Sequence, residues 1–419
     1  MSDRNICKID QMLILYSILT RCLGFLSKCA IPFLPKHRKW WYGRRHQKVH
    51  SIEGPRPIWI HCASLGEFEQ GRPLIEELKK ANPSIPLVLT FFSPSGYEIR
   101  SNYQLVDAVY YLPIDLPGKA NEFVDCIQPR LAIFVKYEFW FNHLNTLIQR
   151  HIPFIFISVL MGPKHFLLRP IFGPLRKIVA SANQIFTQNH DTMQLLLQNG
   201  FHSVTVAGDT RIDRVTQVTR ESKSFKQLES MTKDKRVVIY GSMWPADLTI
   251  VAPYIKEHLD EAHLHIIAPH QIGEEMIVRI KDSFDGSIGR LSTMDGKNNL
   301  QLVIIDTMGD LAYLYRMAWL AYIGGGFGAG IHSILEPTAF HIPVIFGPRY
   351  SHFAEAQELI DIGGGKVIEN KKEFRDAVEY FSDPRHYDGA QKGIQSFFHQ
   401  NEGATSKILH YLRQQNWLV

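Results

Sequence analysis

The chain has 419 residues, 45% of them hydrophobic and 21% charged, which is enough to bury sizeable cores and more than one ordinary domain needs, so two domains are expected. Its five cysteines (Cys7, Cys22, Cys29, Cys62, Cys126) are odd in number and form no C-x-x-C pair, which argues against a disulfide frame or zinc knuckle and for a reduced, cytosolic compartment. The net charge of +5 is unevenly held: residues 1–50 carry ten Lys or Arg against Asp3 and Asp10, so the remainder is slightly acidic and lacks the basic domain a nucleic-acid binder needs.

The first element is the apolar run "MLILYSILTRCLGFLSKCAIPFLP" from Met12. Arg21 and Lys28 interrupt it, so no stretch of about 18 uncharged apolar residues is present for a membrane span. On a helix, Asp10, Ser17, Arg21 and Lys28 fall on one narrow polar stripe and every other face is apolar. Trp40, Trp41 and six Lys or Arg follow at once, a combination suited to the headgroup layer of an anionic leaflet. Residues 1–50 are therefore expected to be an interfacial anchor, with a soluble helix packed on its own domain as the alternative. No A-x-A-like cleavage site marks a removable signal, and the body is expected on the cytoplasmic side.

From about residue 55, short apolar strands alternate with helical patterns: "PIWIHCA", "PLVLTFFS", "AVYYLPI", "LAIFVKYEFW", "PFIFISVL", "QIFTQN" and "VTVAGD". Several are continuously apolar, as strands buried on both faces of a parallel sheet are. Polar sequence over 214–235 reads as a linker. A second set follows, "RVVIYGS", "HLHIIAPH", "LVIIDTM", "LAYIGGG", "PVIFGP" and "GKVIE". The expectation is α/β, with Rossmann-like domains over 51–213 and 236–419 facing each other across a cleft. No internal repeat is found.

Three stretches stand out chemically. In "SLGEFEQG", Ser64-x-x-Glu67 fits a capping box, yet a carboxylate just after a strand also lies where such domains process ligands. In "YEFW", Glu138 sits at a strand end, and carboxylates are rarely buried unpaired. In the loop "GGGFGAGIHSILEPTAF", Gly324, Gly326 and Ala329 meet a dinucleotide spacing, but the loop follows a late strand, so a general phosphate site of open N–H groups at a helix start is the better reading. Ser333-x-x-Glu336 again fits a capping box, and Glu336 can alternatively accept hydrogen bonds from a ribose. Of His263, His265 and His270, strand alternation puts only the first two on one face, so no metal is expected.

The set "SLGEFEQG", "YEFW", "VAGDTRID", "DTMGDL", "GIHSILEP", "PVIFGP" and "HFAEAQEL" resembles the 3-deoxy-D-manno-octulosonic acid (Kdo) transferases, in order, from the N-terminal anchor to about residue 365. The resemblance implies the GT-B fold, with an N-terminal membrane-associated helix. It also implies inverting transfer of Kdo from CMP-Kdo to a lipid A precursor (lipid IVA) at the inner membrane, with no cofactor and no metal. Partners so implied are the donor, the lipid acceptor and an anionic membrane surface, without nucleic acid.

Residue by residue, the resemblance puts the general base on Glu67 and transition-state stabilisers on Glu138 and Arg211. It puts CMP contacts on Pro269 and His270, on Met308, Gly309 and Asp310, and on Ser333, Ile334, Leu335 and Glu336. The chain departs from the family pattern in four places: Arg211 stands for Lys, His270 for Arg, Asp310 for Glu and Ser333 for Asn. An arginine keeps the charge and offers a bidentate grip on a departing phosphate, whereas a neutral imidazole holds a phosphate less strongly than a guanidinium. The residue types suit the chemistry, since an attacking hydroxyl needs a carboxylate to take its proton and the leaving phosphate needs positive charge. Two further readings stay open: a nucleotide-sugar epimerase, which shares the fold but has no reason for the anchor, and a noncatalytic membrane-bound nucleotide sensor, which has no need of Glu67.

Overall fold

The computed structural model describes residues 3–29, 35–221, 223–294 and 300–418, and the side chains of Cys7, Asp10 and Cys29 lie outside the described ones. The chain divides into two compact units, Met1–Asp213 with Glu402–Val419, and Arg214–Asn401. Each is built on one parallel sheet of seven strands with helices on both faces, the architecture that continuous apolar strands predict.

In the first unit the strands are β1 (Ile58–Cys62), β2 (Leu87–Phe91), β3 (Ala108–Tyr111), β4 (Leu131–Val135), β5 (Phe154–Val159), β6 (Gln184–Thr187) and β7 (Val204–Val206), in the order β3-β2-β1-β4-β5-β6-β7. Along β1, Ile58, Ile60 and Cys62 enter one core and Trp59 the other, so the sheet is sandwiched. The order reverses between β1 and β4, the place where open α/β sheets leave a crevice at their carboxyl ends.

The second unit holds β8 (Arg236–Met243), β9 (His263–Pro269), β10 (Ile288–Arg290), β11 (Leu302–Ile304), β12 (Leu320–Ile323), β13 (Val344–Phe346) and β14 (Gly365–Val367), in the order β10-β11-β9-β8-β12-β13-β14. Its order reverses between β8 and β12. β10 has no counterpart among the expected strands: it is three half-buried residues on a sheet edge, with a glycine in the middle, too short for a periodic signal.

The boundary after residue 213 agrees with the units, but the end of the chain differs from the expected domain over 236–419. The helix Ala404–Gln414 belongs to the first unit, where Ile408, Leu409 and Leu412 join the core that also holds Ile60 and Leu74. Asp213 fastens its start by accepting from the N–H groups of Gly403 and Thr405, each at 2.6 Å. The polar stretch 214–235 carries helical segments, the end of Thr210–Arg220 and Lys226–Thr232, in the second unit.

Helix α1 (Asp3–Cys29) lies on the first unit in an unexpected orientation. Ser17 is only 6% exposed and bonds the Leu13 carbonyl and the Asn142 side chain. Tyr16 donates to Asp115 at 2.8 Å. The polar stripe thus turns in part toward the protein, over a cavity of about 420 Å³ lined by Ser17, Arg21, Asn142, Asn145 and Gln149. Leu15, Leu19, Leu23 and Leu26, each about 60% exposed, face outward instead. The helix covers the hydrogen-bonding groups of its own unit and leaves an apolar ridge uncovered. No helix among the described residues is long and apolar enough to cross a membrane. Helix α2 (Pro35–His46) follows, and its half-buried Arg44 packs against the rings of Trp40, Phe92 and Tyr111 while donating to the carbonyls of Leu112 and Phe92.

Candidate active site

Glu67 lies in the first turn of α3 (Leu65–Ala81), the helix that follows β1. Ser64 is its N-cap and accepts from the Glu67 N–H at 3.5 Å. The reciprocal bond of the expected box is displaced by one residue, because Glu67 Oε2 accepts from the N–H of Ala63, at 2.5 Å, rather than from that of the cap. The carboxyl is held in place as a cap and is still poised at the end of β1.

Glu138 follows β4. The strand ends at Val135, so "YEFW" is not strand but a tight turn, entered through Lys136 at φ +63 and closed by bonds from Phe139 N–H to Tyr137 O and from Trp140 N–H to Glu138 O. The two acids therefore stand beside the two strands between which the order reverses. Both carboxyls are pushed up to about 7. For Glu67 the causes are burial first and then the negative charge of Glu138, opposed by His61, by the Ala63 N–H and by Lys136. For Glu138 burial is again the main cause, opposed by the Trp140 indole and Lys136. Neighbouring acids that titrate close to neutral pH are suited to taking and returning a proton.

Sequence reasoning passed over a buried residue beside them. His61, on β1, is fully buried, and burial lowers it to about 3, so it is neutral. The Trp140 indole, a donor only, donates to its Nε2 at 2.9 Å, which leaves the ring proton on Nδ1, against Thr90 Oγ1 at 2.8 Å. Nε2 is also 3.6 Å from Glu138 Oε2. The available signal was a polar residue inside the otherwise apolar "PIWIHCA".

Arg211 opens the helix Thr210–Arg220 and forks onto Asp209, at 2.9 and 2.6 Å. Its neighbour Thr210 bonds the carbonyl of Gln70, on α3, and the hydroxyl of Ser158. The element that carries Arg211 is thereby fastened to the helix of Glu67.

In the second unit, Pro269 ends β9 and His270 follows it on the surface. Two motifs far apart in sequence meet here, since the His270 ring lies 4.4 Å from that of His332 in "GIHSILEP". Met308 is exposed and Gly309 adopts φ +83, while Asp310 is ion-paired with Lys223 and accepts from Thr307. Burial pushes the Asp310 carboxyl up, but these partners hold it below the usual range. Ile334 and Leu335 are buried in the core, so only their main chain is placed to touch a ligand.

Two expectations for this loop are corrected. The helix there, Leu335–Thr338, is a single turn capped by Ile334 without a side-chain bond, so Ser333 and Glu336 form no capping box. The glycines serve packing. A Cβ on Gly326 would stand 2.6 Å from the Gly347 backbone, and the N–H groups of Gly324, Gly325, Gly328 and Gly330 are already bonded within the protein. The open phosphate cradle is smaller than the sequence suggests. His265 is bonded to Tyr240 and the His258 carbonyl, His263 to Asp260, and no group of three or more potential metal ligands occurs among the described residues.

The family described as 3-deoxy-D-manno-octulosonic-acid transferase (kdotransferase) matches residues 36–214. The chain is similar to the 3-deoxy-D-manno-octulosonic acid transferase of Haemophilus influenzae, at 27% identity over 75% of this chain and 76% of the relative. It is similar to that of Rickettsia bellii at 25% identity over 85% and 87%. Among solved structures it resembles a UDP-GlcNAc 2-epimerase from Neisseria meningitidis bound to UDP-GlcNAc, with a TM-score of 0.59 at 16% identity over 85% of this chain and 100% of that one. A putative UDP-N-acetylglucosamine 2-epimerase from Listeria monocytogenes gives 0.58 at 14% identity over 86% and 97%. At such identities the epimerases report the GT-B type of fold and nothing of the chemistry.

Proposed function

We propose that this chain, a homologue of the Kdo transferases and a glycosyltransferase, transfers Kdo from CMP-Kdo to a lipid A precursor by an inverting route at the cytoplasmic face of the inner membrane. The observation that carries the proposal is the carboxyl pair Glu67 and Glu138 at the strand reversal of the first unit, both displaced to about 7. Glu67 takes the proton of the acceptor hydroxyl as that oxygen attacks the anomeric carbon. The nucleotide leaves with the electron pair of the broken bond, and Arg211 offsets the charge on its phosphate. The tight turn after β4 carries Glu138 beside the same centre. The direct test is incubation of the purified protein with CMP-Kdo and a tetraacylated lipid A precursor, followed by mass spectrometry of the lipid; free Kdo and CMP without a heavier lipid would contradict the transfer.

Membrane association is assigned to the outward ridge of α1, aided by the basic residues of α2. Deleting residues 1–50 is a poor test, because it strips Tyr16 from Asp115 and Arg44 from its ring cage. Replacing Leu15, Leu19, Leu23 and Leu26 together by Gln leaves those contacts intact. We expect this variant to melt as the parent does and to lose sedimentation with anionic vesicles. Parental binding to vesicles would move the membrane contact elsewhere. Binding of the parent should weaken with salt, since the basic part of the attraction is screened.

Donor binding is assigned to the second unit. Glu336→Ala is expected to weaken CMP binding in calorimetry with little change in vesicle binding, and equal CMP affinity would remove Glu336 from the site. Ser333→Asn restores the family residue at an exposed position and should be tolerated.

A further inference from the structure

Trp244 follows β8, on one side of the strand reversal in the second unit, and the glycine-rich loop follows β12 on the other. Three rings assemble there. Trp244 and His332 are nearly parallel, at 17°, with centroids 6.3 Å apart, and the indole N–H donates to His332 Nε2 at 3.2 Å. A hydrogen bond between near-parallel rings at that separation puts them edge to edge. His270 covers the junction, 4.2 Å from Trp244 and 4.4 Å from His332. The result is a shelf two rings wide with a third ring on it, and His270 is the exposed member.

The shelf is fixed from below. Asp247 is fully buried and receives three donors: the Trp244 N–H at 3.0 Å, the Gly325 N–H at 2.9 Å and the Tyr322 hydroxyl at 2.8 Å. One carboxylate thus ties the turn after β8 to the turn after β12. The His270 N–H is bonded to the Met243 carbonyl, so its main chain is fixed to the same turn. Burial lowers both His270 and His332, so the stack presents neutral π-faces rather than a cationic surface. Because the indole donates to Nε2, the His332 proton resides on Nδ1 and remains available as a donor.

We propose that this shelf receives the flat heterocycle of the donor nucleotide by stacking on His270, and that Trp244 is the positioning residue that sets the plane of His270. The inference rests on the assignment of donor binding to the second unit and adds to it the mode of binding and a residue outside the motifs that carried the family resemblance. It also accounts for a departure: where an arginine would grip phosphate, a histidine seated on tryptophan contributes ring surface. Stacking is tolerant of base identity, so discrimination among bases falls to edge contacts elsewhere.

The test uses the full chain and calorimetry with CMP, UMP and AMP as separate probes, alongside the KM for CMP-Kdo. Trp244→Leu keeps apolar volume but removes the ring, and is expected to weaken CMP binding about tenfold or more and to raise KM with little change in kcat. Trp244→Phe keeps a ring and should recover most of the affinity. Because Trp244 acts through His270, Trp244→Leu in a His270→Ala background should add almost nothing. Unchanged CMP affinity in folded Trp244→Leu, or fully additive losses in the double variant, would overturn the inference. If Trp244→Leu does not fold, His270→Ala decides: unchanged CMP affinity without the His270 ring overturns it as well. The two readings separate cleanly. Trp244-dependent binding of UMP or AMP without CMP keeps the shelf and removes the CMP-Kdo assignment, whereas Kdo transfer with a Trp244-independent KM does the reverse.

Discussion

Glu67→Gln should abolish turnover while leaving the fold in place. The amide oxygen of glutamine can still accept from the Ala63 N–H, and Ser64 still caps the helix, so the structural bonds survive. An amide takes up no proton near neutral pH, so loss of a general base should reduce transfer on the order of 100- to 10,000-fold. The stability effect has a definite sign. A carboxyl raised from 4.5 to about 7 on folding is deprotonated first in the unfolded chain, so it weakens the fold progressively as pH rises through that window and the penalty is complete above it. Glutamine removes the penalty. The melting temperature of Glu67→Gln relative to the parent should therefore climb between pH 5 and pH 8, and the parent's kcat/KM should climb over the upper part of the same range as the base form appears. A folded variant with near-parental transfer would leave Ser64 and Glu67 as a helix cap and nothing more.

Much of the fold could be read because its strands are buried on both faces. Thirteen of them announce themselves as apolar runs, and the boundary after residue 213 falls where that pattern pauses. What escaped has a common physical character. β10 is shorter than the period needed to detect it, and the return of Ala404–Gln414 to the first unit is a long-range packing choice of Ile408 and Leu412 that no local pattern encodes. The polar stripe of α1 was visible, but its direction was not. Ser17 finds Asn142, 125 residues away, and that partner decides which face turns outward. Motifs fared likewise: the placing of Glu67 and Glu138 beside β1 and β4 follows from strand order, whereas His61, Trp140, Trp244 and Asp247 act through contacts that only the folded chain reveals.

The two sheets share one logic. Each reverses its strand order at its centre, and in each a buried polar residue lies beneath the groups to which the proposals assign chemistry. His61 lies fully buried under the carboxyl pair of the first unit, and Asp247 under the ring shelf of the second. Under the proposed function neither polar residue need touch a substrate to matter, because each lies against groups that would.

Glu138→Gln tests that logic where it is most exposed. The turn entered through Lys136 is closed by main-chain bonds that the exchange leaves alone, so it should persist and the protein should melt near the parent temperature. Two effects are expected on activity. Turnover should fall about 100-fold or more, as removal of a transition-state contact commonly does. The second effect distinguishes a catalytic pair from two acids that happen to be close. The negative charge of Glu138 helps to raise Glu67, so its removal should let the Glu67 carboxyl relax toward the ordinary carboxylate range. The base form would then survive to lower pH, and the acid limb of kcat/KM should move below its parental position near 7. Residual activity with an unmoved acid limb would show that the two carboxyls titrate independently. Undiminished turnover would reduce Glu138 to a partner of Trp140 and leave Glu67 to act alone.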